Sequence, residues 1–117
     1  MSERNTIALL GDIIESIQNI LEFTRDYSFE EYVNDLKTRH AVEHNFVIIG
    51  EAVSRLSEDL KKEYSEINWR QVKDFRNVIV HDYFGIDNHI VWDIIQFNLS
   101  ELLNDIFSVL NKEIKSQ

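Results

Sequence analysis

Arg76, His81 and Tyr83 stand within eight residues of one another, in the segment Arg76-Asn77-Val78-Ile79-Val80-His81-Asp82-Tyr83. The spacing is R-x4-H-x-Y, and each of the three types suits phosphate chemistry. An arginine supplies a permanent cation and a planar fork of donors that matches phosphate oxygens. A histidine gives or takes a proton near neutrality without a special environment. A tyrosine offers a ring that stacks on a base and a hydroxyl open to modification. No other segment of the chain combines these functions.

The segment sits on the last turns of an expected helix. Asn68 is placed to cap it, and Val72, Phe75 and Ile79 mark an apolar face at helical spacing. At about 100° per residue, Arg70, Lys73, Asn77 and His81 share one stripe of this helix. Arg76 projects about 140° away from His81, at the edge of the apolar face near Trp69, Val72 and Val80, and Tyr83 about 200° from His81. The helix is therefore expected to end near Asp82, with Gly85 as a further stop signal. One regular helix does not bring Arg76 and His81 onto the same phosphate. Either the helix end is distorted, or a two-fold dimer lets the motif of each chain complete the other's. By spacing alone a purely structural reading is the stronger: Arg76 pairs with a carboxylate, His81 caps a helix end, and Tyr83 packs in the core.

A second constellation, His40-Ala41-Val42-Glu43-His44, has the H-x-x-E-H form of one group of metallopeptidases. His40 and His44 would share a helical face, but Glu51 and Arg55 project from it too, and a cation beside a metal is unfavourable. A solvated or half-covered polar stripe accounts for it better, so no metal is expected. No Gly-rich phosphate loop and no G-x-S-x-G elbow occur.

The elements expected to carry these residues are helical throughout. Ile7, Leu10, Ile14, Ile17 and Leu21 define a first helix from about Thr6 to Arg25. Ser28-x-x-Glu31 is a capping box that opens a short second helix to about Leu36. Val42, Phe46, Ile49, Val53 and Leu56 mark a third from near Thr38, and residues from Ser57 to Tyr64 add a short turn. Asp87 caps a long final helix carrying Trp92, Ile95, Leu99, Leu102, Ile106 and Val109. The expectation is one domain over residues 1–117, an all-α up-and-down bundle of four to five main helices. Gly11 and Gly50 fall inside helices, where each costs about 1 kcal/mol relative to alanine. Close helix–helix approach is the expected compensation, above all at Gly50.

With 117 residues the chain is long enough to bury roughly two-thirds of its unfolded surface. Its 44% hydrophobic and 28% charged residues are those of an ordinary globular protein. The absence of cysteine excludes disulfides and thiolate metal sites and points to a reducing cytoplasm. The start of the chain lacks a signal-peptide pattern, and no apolar run is long enough to span a membrane. The formal net charge of −9 argues against general nucleic-acid binding. The uneven distribution of that charge leaves room for local contacts. Arg55, Lys61, Lys62, Arg70, Lys73 and Arg76 place half of the 12 Lys and Arg within 22 positions, whereas the first 35 residues are strongly acidic. Such polarity suits local grip on a short piece of RNA, or the docking of a basic partner elsewhere.

The segment Asn68–Asp87, NWRQVKDFRNVIVHDYFGID, closely resembles the R-x4-H-x-Y region of HepT-like proteins of the HEPN superfamily. In these the motif is usually followed by an aromatic-Gly-aliphatic-Asp run, here Phe84 to Asp87. Ser28–Tyr32, Ile48–Val53 with its Gly50-Glu51 pair, and Ile90–Ile95 resemble the family in the same order, so the likeness covers nearly the whole chain. Prolines common before the motif helix and inside the last one are absent, with Ser65, Asn68 and Ser100 in their places. These differences affect turns and caps.

The resemblance implies a dimeric, metal-independent endoribonuclease acting as the toxin of a toxin–antitoxin system. His81 and Arg76 would be its catalytic residues, Asn77 an auxiliary, and Arg70 and Lys73 would bind flanking RNA phosphates. No cofactor is implied. The implied partner is a minimal nucleotidyltransferase antitoxin of the MntA type, which would add AMP to Tyr83. The alternative within the superfamily is a non-catalytic module that uses the same helices to regulate its nucleotidyltransferase partner. The intact set of Arg76, Asn77, His81 and Tyr83 favours catalysis.

Overall fold

The computed structural model describes residues 3–80 and 85–117, with side chains from residue 5 to 79 and from 85 onward. Seven helices are found among the described residues, and no strand: α1 (Glu3–Phe23), α2 (Phe29–Asn34), α3 (Leu36–Arg55), α4 (Glu58–Glu63), α5 (Trp69–Val80), α6 (Asn88–Phe97) and α7 (Leu99–Lys115). The all-α expectation holds. α1 packs against both α3 and α7, α5 lies on α3, and the short α2 touches α3 and α6.

The core follows from those neighbours. Leu10, Ile13, Ile17 and Ile20 of α1, Val42, Phe46, Ile49 and Val53 of α3, and Leu99, Ile106 and Val109 of α7 are all but inaccessible to solvent. Burial of each such side chain contributes roughly 1.5–3 kcal/mol before entropy is counted. Because α1 is covered on two sides, its buried face is wider than one stripe: Leu9, Ile13 and Ile20 join Leu10, Ile14 and Ile17, while Ile7 and Leu21 are only half-buried. Asn45 is buried in this layer with its polar atoms satisfied. Its amide donates to the Ala41 carbonyl at 2.8 Å and its oxygen accepts from Asn19 at 3.2 Å.

Several boundaries move from their expected places for local reasons. α1 ends at Phe23, two residues before the expected Arg25, because Asp26 takes a left-handed conformation with φ 61°. Aspartate tolerates that region better than most residues. The Ser28–Glu31 capping box forms as expected. α2 nevertheless stops at Asn34, and Leu36 already belongs to α3, because Asp35 caps that helix by accepting the Thr38 N–H at 3.0 Å. The long final helix is divided: α6 and α7 meet at Asn98, close to Ser100, the position noted above for a missing proline. Asparagine is a weak helix former, which suits the junction. Asp87 caps α6 as expected, accepting from the N–H groups of His89 and Ile90. No described helix is long and apolar enough to cross a membrane.

Candidate functional site

α5 is fixed at its start and along its buried face. The Asn68 side chain caps it, accepting the Gln71 N–H at 3.0 Å. The Trp69 indole donates to the Tyr64 carbonyl at 3.1 Å, and the Tyr64 hydroxyl donates to Glu113 of α7 at 2.8 Å. Burial and the neighbouring carboxylates hold the Tyr64 phenol protonated, pushing its pKa up to about 12. Further along, Phe75 meets Phe46 of α3 edge to face, with ring centroids 5.8 Å apart. These contacts set the rotation of α5 and therefore which residues it presents.

That rotation agrees with the helical-wheel expectation. Arg70, Lys73 and Asn77 are exposed, while Trp69, Val72 and Phe75 are buried and Arg76 is half-buried at the edge. The Asn77 amide donates to Asp74 Oδ1 at 3.1 Å, one turn back along the exposed stripe. Asn77 and Arg76 thus point in different directions, about 100° apart around the helix. His81 and Tyr83 lie outside the described residues, as does the expected helix end at Asp82. Gly85, which follows them, has φ 111°, a conformation open to glycine and rare for other residues.

Arg76 has a defined partner that sequence reading did not assign. Its Nε lies 2.7 Å from Glu51 Oε1 on α3, with the two side chains 37% and 52% exposed. Nε is itself buried, and its N–H is not aimed along that line, so the contact is an ion pair rather than an aligned hydrogen bond. A pair this exposed contributes about 1 kcal/mol at most to stability. Its larger consequence is orientation. The neighbouring residue, Gly50, is buried beneath the stem of Arg76, and a Cβ placed there would overlap Arg76 Cβ and stand 3.3 Å from its Cγ and Cδ. Close approach at Gly50 is therefore confirmed. At Gly11 it is not: an added Cβ would meet nothing within 4 Å. The sequence carried only a partial signal for Glu51: a glycine within a helix is compatible with a near helix neighbour, which is found at Gly50 and not at Gly11, and the residue beside it can then reach that neighbour.

The rest of the basic cluster is unevenly available. Lys61 pairs with Glu58 at 3.5 Å, and only 14% of its side chain is exposed. Arg70, Lys73 and Lys62 are exposed. A groove of about 170 Å³ beside the start of α5 is lined by Glu66, Glu101 and Asp105 with no cation among its lining residues, so it is electrostatically unsuited to RNA. His40 and His44 are exposed on α3, and no group of three His, Asp or Glu among the described residues is arranged to hold a metal.

The all-α bundle has the form expected of HEPN-type proteins. The profile of the family described as "Ribonuclease HepT-like" matches residues 13–109, and the chain belongs to the HepT-like family. It is 38% identical over 106 residues to "Putative RNase MJ0127" of Methanocaldococcus jannaschii, covering 91% of this chain and 85% of that protein. It is 39% identical over 93 residues to "Probable ribonuclease HepT" of Thermococcus cleftensis, covering 80% of this chain and 84% of that one. A third relative, "Putative RNase MJ1216" of M. jannaschii, is 30% identical over all 117 residues, covering 96% of its own length. No solved structure is a significant match.

Proposed function

We propose that the chain is a ribonuclease, a metal-independent endoribonuclease that acts as the toxin of a toxin–antitoxin pair. The observation that carries this reading is a complete R-x4-H-x-Y motif in a member of the ribonuclease HepT-like family. RNA brings its own nucleophile, the 2′-hydroxyl next to the scissile phosphate. His81 removes the 2′-proton, the 2′-oxygen bonds to phosphorus, and the bond from phosphorus to the 5′-oxygen breaks. The 5′-oxygen takes up a proton, from a second histidine where two motifs meet across a dimer axis. Arg76 stabilises the added negative charge on the non-bridging oxygens. The products are a 2′,3′-cyclic phosphate and a 5′-hydroxyl. Arg70 and Lys73, exposed on the stripe that precedes His81, bind flanking phosphates, and Asn77 assists on the same stripe.

His81→Ala and Arg76→Ala each lower cleavage of cellular RNA by at least about 10²-fold, the usual scale for acid–base and oxyanion contributions. Helical content by circular dichroism stays unchanged, and the wild type keeps its activity in EDTA. Full activity in either purified variant, or strict dependence on added Mg²⁺, overturns the mechanism. An inactive wild type that still binds a nucleotidyltransferase partner favours the regulatory-module alternative.

The partner in this reading is a minimal nucleotidyltransferase antitoxin, with Tyr83 as its acceptor. The phenolic oxygen attacks the α-phosphorus of ATP, pyrophosphate leaves and the phenolic proton passes to a base. The adduct places a phosphodiester charge and an adenosine two residues from His81. Tyr83→Phe then stays toxic but gains no mass in AMP increments when incubated with partner and ATP. Equal labelling of wild type and Tyr83→Phe rules that acceptor out.

A further inference from the structure

We propose that Glu51 is a positioning residue for Arg76, holding the guanidinium by its inner nitrogen so that its outer edge faces the phosphate. The inference rests on the reading of Arg76 as the charge-stabilising residue. A guanidinium carries five N–H donors, one on Nε and four on the two terminal nitrogens. Glu51 approaches Nε, at 2.7 Å. The pair therefore sets the carboxylate charge against the inner nitrogen, without an aligned hydrogen bond from its N–H, and leaves the terminal fork, the edge best matched to two phosphate oxygens, outside it.

The surroundings restrict the arginine to this pose. Gly50, one residue before Glu51, lets the stem of Arg76 lie against the α3 backbone, where any Cβ would collide with it. Val72 and Trp69, one and two turns back on α5, are buried along the same edge. Stem and inner nitrogen are thus both held by two consecutive residues of α3, in a side chain that keeps 37% of its surface in solvent. An arginine with four free torsions would otherwise lose its side-chain entropy on reaching the transition state. One restrained beforehand has already lost it.

A carboxylate beside a phosphate-binding cation has an opposing effect, since it repels RNA and partly offsets the cation. The two effects separate experimentally. Positioning acts on turnover, whereas removing the negative charge favours binding. Glu51→Gln keeps an oxygen acceptor of nearly the same size and loses the charge. It lowers kcat on saturating RNA by about 10- to 100-fold, the scale of a misplaced transition-state contact. Binding of an uncleavable RNA with 2′-deoxy substitutions stays unchanged or tightens, and the melting midpoint changes little. Glu51→Asp, which restores the carboxylate one methylene short, regains part of the lost turnover.

Turnover in Glu51→Gln equal to or above wild type overturns the proposal. So does a fall in turnover that tracks equal losses of RNA binding and thermal stability, because a structural role produces that pattern. Arg76→Ala, measured alongside, separates the two levels. If it is inactive while Glu51→Gln is fully active, only the positioning role falls. If Arg76→Ala is fully active, the ribonuclease mechanism falls, and with it the need to position the arginine.

Discussion

Gly50 on α3 lies directly against Arg76 on α5, close enough that the first carbon of any side chain at 50 would overlap Arg76 Cβ. The contact joins a backbone requirement on one helix to the proposed catalytic cation on the next. Gly50→Ala forces α3 and α5 apart or swings the arginine aside. Overpacking a close helix contact costs about 1–3 kcal/mol, which outweighs the gain of about 1 kcal/mol in helix propensity. The variant unfolds at lower urea concentration than wild type, and its ribonuclease activity falls by more than its folded fraction does. A variant as stable and active as wild type rules out the tight contact.

Gly11 gives the opposite result with the same substitution. It sits inside α1, half-buried, and a methyl group there meets nothing beyond the backbone of its own helix within 4 Å. Gly11→Ala therefore gains helix propensity without a clash and raises stability by about 0.5–1 kcal/mol. The denaturation midpoint shifts upward while activity is unchanged. A loss of stability would mean that another chain fills the space beside Gly11 in solution.

The two glycines show where sequence reading reaches and where it stops. Both break a helical pattern, and both suggest a close helix neighbour, but only the packing of α5 on α3 makes this true at Gly50. Periodicity located every main helix, since an apolar residue every three or four positions follows directly from burial of one face. It joined α6 to α7 because the apolar step runs unbroken from Trp92 to Val109, and no pattern of side chains reports the backbone break at Asn98. The rotation of α5 was legible because Val72 and Phe75 fix its buried side. Glu51 was not assigned to Arg76 because an ion pair between helices depends on their crossing, which spacing along one helix does not encode.

Asp35 supplies a pH dependence. Its carboxylate accepts the Thr38 N–H, the Thr38 hydroxyl at 2.7 Å and the Tyr27 hydroxyl at 2.7 Å, and these bonds to the charged form, that from the backbone foremost, lower its pKa from 3.8 to about 2. A folded-state pKa below the unfolded one means that the stabilisation is fully present above about pH 4 and is lost as pH falls through 2. Asp35→Asn keeps a capping oxygen but has no charge to lose. Its melting midpoint is below that of wild type at pH 7, and the gap narrows progressively between pH 4 and pH 2. A gap of constant size over that interval would show that the Asp35 charge is not what the cap depends on.

The helical wheel of α5 bears on how the proposed catalytic pair is assembled. Arg76 lies at the buried edge against α3, and on a continued helix His81 would point about 140° away, along the stripe of Arg70 and Lys73. A site drawing Arg76 from one chain and His81 from its two-fold partner resolves that divergence. Chains carrying Arg76→Ala and chains carrying His81→Ala are each inactive alone, but co-expressed at equal levels they combine at random, so half of the dimers are mixed. In a mixed dimer one composite site has lost both residues, while the other keeps an intact Arg76 and an intact His81. One of two sites in half of the dimers sets a ceiling of about one quarter of wild-type turnover, and the recovery falls below it because that site has water in place of the second histidine as proton donor. Sites built within single chains restore none, since every chain then lacks one member of its own pair. Purified co-expressed protein, assayed against each variant alone and checked for dimer by sedimentation, decides between the two arrangements. Continued inactivity of a confirmed mixed dimer rules out the shared site.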